Sequence, residues 1–143
     1  MKTVQHLLNN KSAVIYSVTK NTSVLEALEI MMEKDISSLL IIENGKLQGI
    51  FTERDYARKI ILKERSSKNT HIDEVMTSKL YLVKPDDSID RCMQVMTEHH
   101  IRHLPVLDKN QKVVGVISIG DLLKFIIQDQ KRIIEQMGGY INS

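Results

Sequence analysis

The sequence predicts an α/β (α+β) fold made of two pseudo-symmetric β-α-β-β-α repeats packed through their sheets. Three observations lead there. The chain aligns with itself at an offset of 65, pairing Tyr16 with Tyr81, Val18 with Val83, Ser23 with Ser88, Met31 with Met96 and Leu39 with Leu104. One inserted residue then moves the offset to 66, so that Gly49 meets Gly115, Thr52 meets Ser118 and Asp55 meets Asp121. In each copy, short apolar runs alternate with segments of helical periodicity.

Each repeat opens with a short strand, near Ile15–Val18 and near Leu80–Val83. A helix follows, about Val24–Lys34 or Ile89–His99. Ser23 and Glu26 have capping-box spacing. Val24, Ala27, Leu28 and Met31 form the apolar stripe of the first helix. Leu39–Ile42 and Leu47–Phe51 flank Asn44-Gly45, a two-residue hairpin signal. Leu104–Leu107 and Val113–Ile117 flank a longer turn, Asp108–Lys112. The closing helices are Glu53–Lys63 and Ile119–Met137, the second expected to stop at Gly138-Gly139. Even the lead-ins match, Val4-Gln5-His6-Leu7-Leu8 against Ile72-Asp73-Glu74-Val75-Met76. The expected division is residues 1–65 for the first repeat with its lead-in, 70–128 for the second, and 129–143 for a helical extension and tail. Ser66–Asn69 is the expected linker.

Composition narrows the function. A chain of 143 residues with a net charge of +2 has no basic field for nucleic acid or a membrane surface. Four Tyr, two Phe and no Trp make base-stacking platforms unexpected. The lone Cys92 has no internal disulfide partner, which fits a reducing compartment. MKTVQHLLNN lacks the apolar core of a secretory signal, and no apolar run reaches the roughly 20 residues of a membrane span. A cytoplasmic protein is expected.

The repeated Gly-x-x-x-(Thr/Ser)-x-x-Asp unit supports two readings. In the first, Thr52 and Ser118 are N-caps, and Asp55 and Asp121 complete capping boxes at the positive helix end. In the second, the same atoms meet a polar ligand. Helix N-termini display unpaired N–H groups. An ionised carboxylate only accepts hydrogen bonds, so it repels phosphate but can take both hydroxyls of a ribose diol. The adjoining hydroxyl residue can bind the same sugar or the phosphate.

With its tandem unit, this motif and the segment Ile-Arg-His-Leu-Pro-Val at 101–106, the chain resembles a pair of CBS domains (cystathionine-β-synthase motifs, a Bateman module) over residues 3–128. The tail from Ile133 to Ser143 also resembles the end of small stand-alone members. The resemblance implies adenosine-nucleotide binding in a cleft between the repeats. AMP, ADP and ATP are the usual ligands, with NAD or S-adenosylmethionine in some members. It implies that Asp55 and Asp121 hold ribose hydroxyls, with Thr52 and Ser118 as accessory ligands. It implies that Ser17, Val18, Leu82 and Val83 border the adenine. Arg102 and His103 are implied as phosphate ligands, paired with Asp55. The first repeat has Ser37 and Ser38 at the matching positions, so one strong site at Asp55 and a weak or empty one at Asp121 are expected. Arg54 and Arg58 are further phosphate candidates, read more simply as surface charge. Homodimerisation through the helices is also implied.

Other signals are set aside. His99, His100 and His103 lack the thiolates or carboxylates that would complete a metal set, so no metal is expected. Met31, Met32, Met93 and Met96 lie at helical spacing and suit a core or subunit interface. Cys92 aligns with Ala27 and reads as a small core residue. Ser118 lacks the first glycine of a nucleophile elbow, and no phosphate-loop lysine pattern occurs. No catalytic constellation and no catalytic cofactor are expected. The expected function is a regulatory adenosine-nucleotide sensor that signals to a separate, unidentified protein partner. The alternative is an interaction scaffold with a vestigial nucleotide site.

Overall fold

The computed structural model describes residues 2–11 and 14–138. The elements run α1 (Val4–Asn9), β1 (Ser17–Val18), α2 (Val24–Lys34), β2 (Ser38–Glu43), β3 (Lys46–Thr52), α3 (Glu53–Tyr56), α4 (Ile89–His99), β4 (His103–Leu107), β5 (Val113–Ser118) and α5 (Ile119–Gln136). A single 3-10 turn covers Ile72–Glu74. This is the mixed α/β fold with two small sheets that the repeat pattern predicts.

Local chemistry accounts for most boundaries. Ser23 Oγ accepts from the Glu26 amide and Ser88 Oγ from the Arg91 amide, starting α2 and α4. Asp35 and His100, which align at the offset of 65, end these helices in left-handed geometry at φ 54 and 55. Asn44 and Gly45 turn the β2–β3 hairpin at φ 51 and 78, the geometry of a type I′ turn. Gly138, at φ 84, follows the end of α5. Gly139 and the rest of the expected tail lie outside the described residues.

The chain divides into two compact units, and the lead-ins change places between them. One unit takes residues 14–81 and the turn 110–113. The other takes residues 82–109 and 114–138 together with the N-terminal segment. The expected grouping of the N-terminal lead-in with the first repeat is therefore corrected. The Val24 and Ile72 amides donate to Thr70 and Thr22 carbonyls, and Ser23 bridges His71. At the matching positions of the other unit, the Ile89 and Val4 amides donate to Lys2 and Asp87 carbonyls, and Thr3 bridges Ser88. Each lead-in thus satisfies the N-terminal amides of the other repeat's first helix. The Ser66–Asn69 linker also takes part, since Ser67 O accepts from the Leu25 amide.

In the unit of residues 14–81, β1 pairs parallel with β2, and β2 pairs antiparallel with β3 with a bulge between Ile41 and Ile42. Val24, Ala27, Met31, Leu39, Ile41, Phe51 and Ile60 form its core with Ile72 and Val75 of the exchanged lead-in. The other unit has the β4–β5 sheet, with Val4, Leu7, Ile89, Cys92, Met96, Leu104, Ile117 and Leu122 buried.

Two expected elements differ. The strand expected near Leu80–Val83 is one parallel bridge, Val83 to Val106. In the first repeat the Leu40 amide donates to Tyr16 O, whereas its counterpart Pro105 has no N–H to give. The helix expected over Glu53–Lys63 widens into a π-turn at Ala57–Ile61. That wide turn carries Lys59, whose Nζ lies 3.0 Å from Asp55 Oδ1 and donates to Val75 O at 2.9 Å.

Candidate ligand site

Both hydroxyl–aspartate pairs sit where a strand passes into a helix, and both form complete capping boxes. Thr52 Oγ1 accepts from the Asp55 amide at 3.2 Å, and Asp55 Oδ2 accepts from the Thr52 amide at 3.0 Å. Ser118 Oγ accepts from the Asp121 amide at 3.0 Å, and Asp121 Oδ2 accepts from the Ser118 amide at 2.9 Å. The capping reading therefore holds at both positions. Asp is long enough to reach back because the Thr and Ser backbones are extended.

The two carboxylates then diverge. Asp55 is 6% exposed. Its Oδ2 also takes the Thr52 hydroxyl at 3.2 Å. Its Oδ1 takes the Thr77 hydroxyl at 2.8 Å and the Lys59 ammonium at 3.0 Å. A carboxylate offers about four lone-pair positions, and here all are used. Asp121 keeps 28% of its side chain exposed. Its Oδ2 holds the Lys11 ammonium at 2.6 Å as well as the Ser118 amide. Among the described residues no hydrogen bond goes to its Oδ1.

Lys11 also donates to Val116 O, which fixes it beside β5. Burial, the largest influence on the Asp121 acid, pushes its pKa up. The Lys11 and Ser118 contacts together outweigh that and leave it below the ordinary value. His103 is half-buried in the same unit, and burial holds its pKa below the ordinary value. Asp121 pulls that pKa up, and Lys11 and Arg102 press it down. Arg102 is exposed, and its carbonyl accepts from the Ile119 amide at the start of α5.

The residues implied at the adenine divide in two. Ser17 and Leu82 are exposed, Leu82 to 44%. Val18 packs on the core of its unit. Val83 is 1% exposed, with its amide donating to Pro105 O and its carbonyl accepting from the Leu107 amide, so its side chain belongs to the core. Lys11, Lys59 and Thr77 were missed by sequence reasoning. Lys59 had a signal, four residues from Asp55 on a helical pattern. Lys11 and Thr77 had none, because the exchange of lead-ins brings them to the carboxylates.

Two stretches, residues 11–62 and 72–128, match the family described as CBS domain. The chain belongs to this CBS-domain family. It carries a CBS pair. The CBS pair is 37% identical over 128 residues to the CBS domain-containing protein CBSX3, mitochondrial, of Arabidopsis thaliana, covering 86% of this chain and 62% of that relative's length. A protein with CBS domains from Burkholderia ambifaria MC40-6 has a solved structure that matches with a TM-score of 0.86 at 52% identity, covering 90% of this chain and 96% of that one. The CBS domain pair of protein MJ0100, solved in complex with 5′-methylthioadenosine and S-adenosyl-L-methionine, matches with a TM-score of 0.76 at 26% identity, covering 87% of this chain and 99% of that one. Among the described residues, no helix is long and apolar enough to cross a membrane.

Proposed function

We propose that this CBS pair is a regulatory, non-catalytic sensor of an adenosine-containing ligand of the AMP, ADP or ATP type. One observation carries the reading: the partly exposed Asp121 carboxylate, at a strand-to-helix corner, has one oxygen committed and, among the described residues, no hydrogen bond to the other. A ribose diol suits that oxygen, since it donates two hydrogen bonds and brings no charge of its own. The MJ0100 complexes support the ligand class, because both ligands in them contain adenosine.

We assign the leading role to Asp121 rather than Asp55. A ligand at Asp55 would have to displace Thr52, Thr77 or Lys59 from a buried carboxylate, and each loss has a cost. Ser118 is the accessory residue, Arg102 the phosphate ligand, and His103 a neutral polar neighbour. Exposed Leu82, in the unit that holds Asp121, is the available adenine contact. Exposed Met32, Leu123 and Ile127 support a homodimer. The signal then passes to a separate protein partner.

Thermal unfolding of the chain with AMP, ADP, ATP, NAD and S-adenosylmethionine tests this. A ligand at about 100 times its Kd adds about 2.7 kcal/mol, several degrees for a chain of this size. The shift should vanish in Asp121→Ala and survive in a folded Asp55→Asn. No shift with any ligand at millimolar concentration favours the second reading, an interaction scaffold. One observation favours that reading: Asp55 is saturated within the fold.

A further inference from the structure

We propose that Lys11 sets the charge of the ligand at Asp121, selecting phosphorylated adenosine nucleotides over neutral or cationic adenosine derivatives. The inference rests on Asp121 as ribose acceptor. Lys11 follows α1 in the N-terminal lead-in, which the fold gives to the unit that holds Asp121. An ammonium has three donors. Two are committed, to Val116 O and to Asp121 Oδ2, and the side chain keeps 32% of its surface exposed. Among the described residues, one donor therefore remains while the carboxylate is held. A diol on Oδ1 leaves Lys11 in place on Oδ2.

The surroundings have a sign. Asp121, Lys11 and Arg102 all act on His103, which puts one negative and two positive charges around one imidazole. Burial, together with Lys11 and Arg102, holds that imidazole neutral at neutral pH against the pull of Asp121, so it adds no charge of its own. The group is left with one positive charge in excess. AMP, 5′-methylthioadenosine and S-adenosylmethionine carry the same ribose diol and differ at the 5′ carbon. They present an anion, a neutral thioether and a sulfonium there. A positive surrounding ranks them in that order. Without Lys11, the charges of Asp121 and Arg102 cancel, and the ranking between anion and neutral ligand narrows to what the Arg102 contact supplies.

Calorimetric titration of the full chain with these three ligands tests the inference, using Lys11→Met and Lys11→Arg beside the unaltered protein. The unaltered chain should bind AMP more tightly than methylthioadenosine, and S-adenosylmethionine most weakly. Lys11→Met should weaken AMP by about tenfold or more, the scale of a charged hydrogen bond, and leave methylthioadenosine nearly unchanged. Lys11→Arg should keep the order. Equal losses of AMP and methylthioadenosine in Lys11→Met, or S-adenosylmethionine as the tightest ligand of the unaltered chain, would overturn the inference and leave Asp121 as ribose acceptor. If none of the three binds the unaltered chain, the ribose reading itself falls, and this inference with it.

Discussion

The Thr77 hydroxyl donates to Asp55 Oδ1 at 2.8 Å, although the two residues come from different repeats. Asp55 is buried, so each of its donors offsets the cost of taking a carboxylate out of water. Thr77→Val keeps the shape and removes one donor. It should destabilise the chain by about 1–3 kcal/mol. Thr77→Ser should recover most of this. Urea unfolding of both variants checks it, and equal stability of Thr77→Val and the parent would contradict the account.

The two motif glycines should respond differently to alanine. A Cβ at Gly49 would lie 2.8 Å from the Thr77 carbonyl oxygen and 2.7 Å from Met76 Sδ. The Thr77 carbonyl is held by the Ile50 amide, so it cannot retreat cheaply. A Cβ at Gly115 would lie 2.7 Å from Leu8 Cδ2, the far end of a side chain that can rotate away. Gly49→Ala should cost about 1–3 kcal/mol, and Gly115→Ala clearly less. Parallel denaturation curves decide the order.

Stability should fall in acid partly through Asp121. Its folded pKa lies below the ordinary value, despite burial, because Lys11 and Ser118 favour the anion. A depressed folded pKa contributes stability that is present above the unfolded value, about 3.9, and is lost as pH falls through the folded one. Lys11→Met removes the ion pair and should flatten this part of the acid limb. Urea midpoints between neutral pH and pH 3 measure it, and an unchanged slope would count against the ion pair.

Cys92 should be inert while the chain is folded. Its side chain is fully buried, and burial, aided by Asp87 and opposed by Arg91, raises its pKa to about 11. The reactive thiolate is scarce at neutral pH. Labelling with a thiol reagent should proceed only as fast as the chain opens, and should become rapid in urea. Fast labelling of the native chain would place Cys92 nearer the surface.

Elements governed by neighbouring residues were legible in the sequence. The bounds of α2 and α4 follow from Ser23 and Ser88 at their starts and from the end of the apolar stripe. The Asn44-Gly45 turn follows from its own residue types. The capping role of Thr52 and Ser118 was legible too, but how fully each carboxylate is used was not. That depends on Lys11, which reaches Asp121 across 110 residues, and on Thr77. The matched lead-ins hid this, because Val4 to Leu8 and Ile72 to Met76 carry the same apolar pattern. Either could dock on either sheet by pattern alone. The short strand before Pro85 was overestimated because Val83 suits a strand, while the missing amide of Pro105 acts from another segment.

The exchanged lead-ins also set an order of assembly. A chain is made from its N-terminus, so α1 emerges before the segments it packs with. The carbonyls that receive Val4 and Gln5 belong to Asp87 and Pro85, so α1 must wait until those residues have been made. The other lead-in has no such wait, because Thr22 and Lys20 precede Ile72 and Asp73. The unit of residues 14–81 can therefore close while synthesis continues, and the unit holding Asp121 and Lys11 closes after it. Its carboxylate acquires its lysine only when an earlier segment joins a later one, so this corner is finished only after Asp121 has emerged.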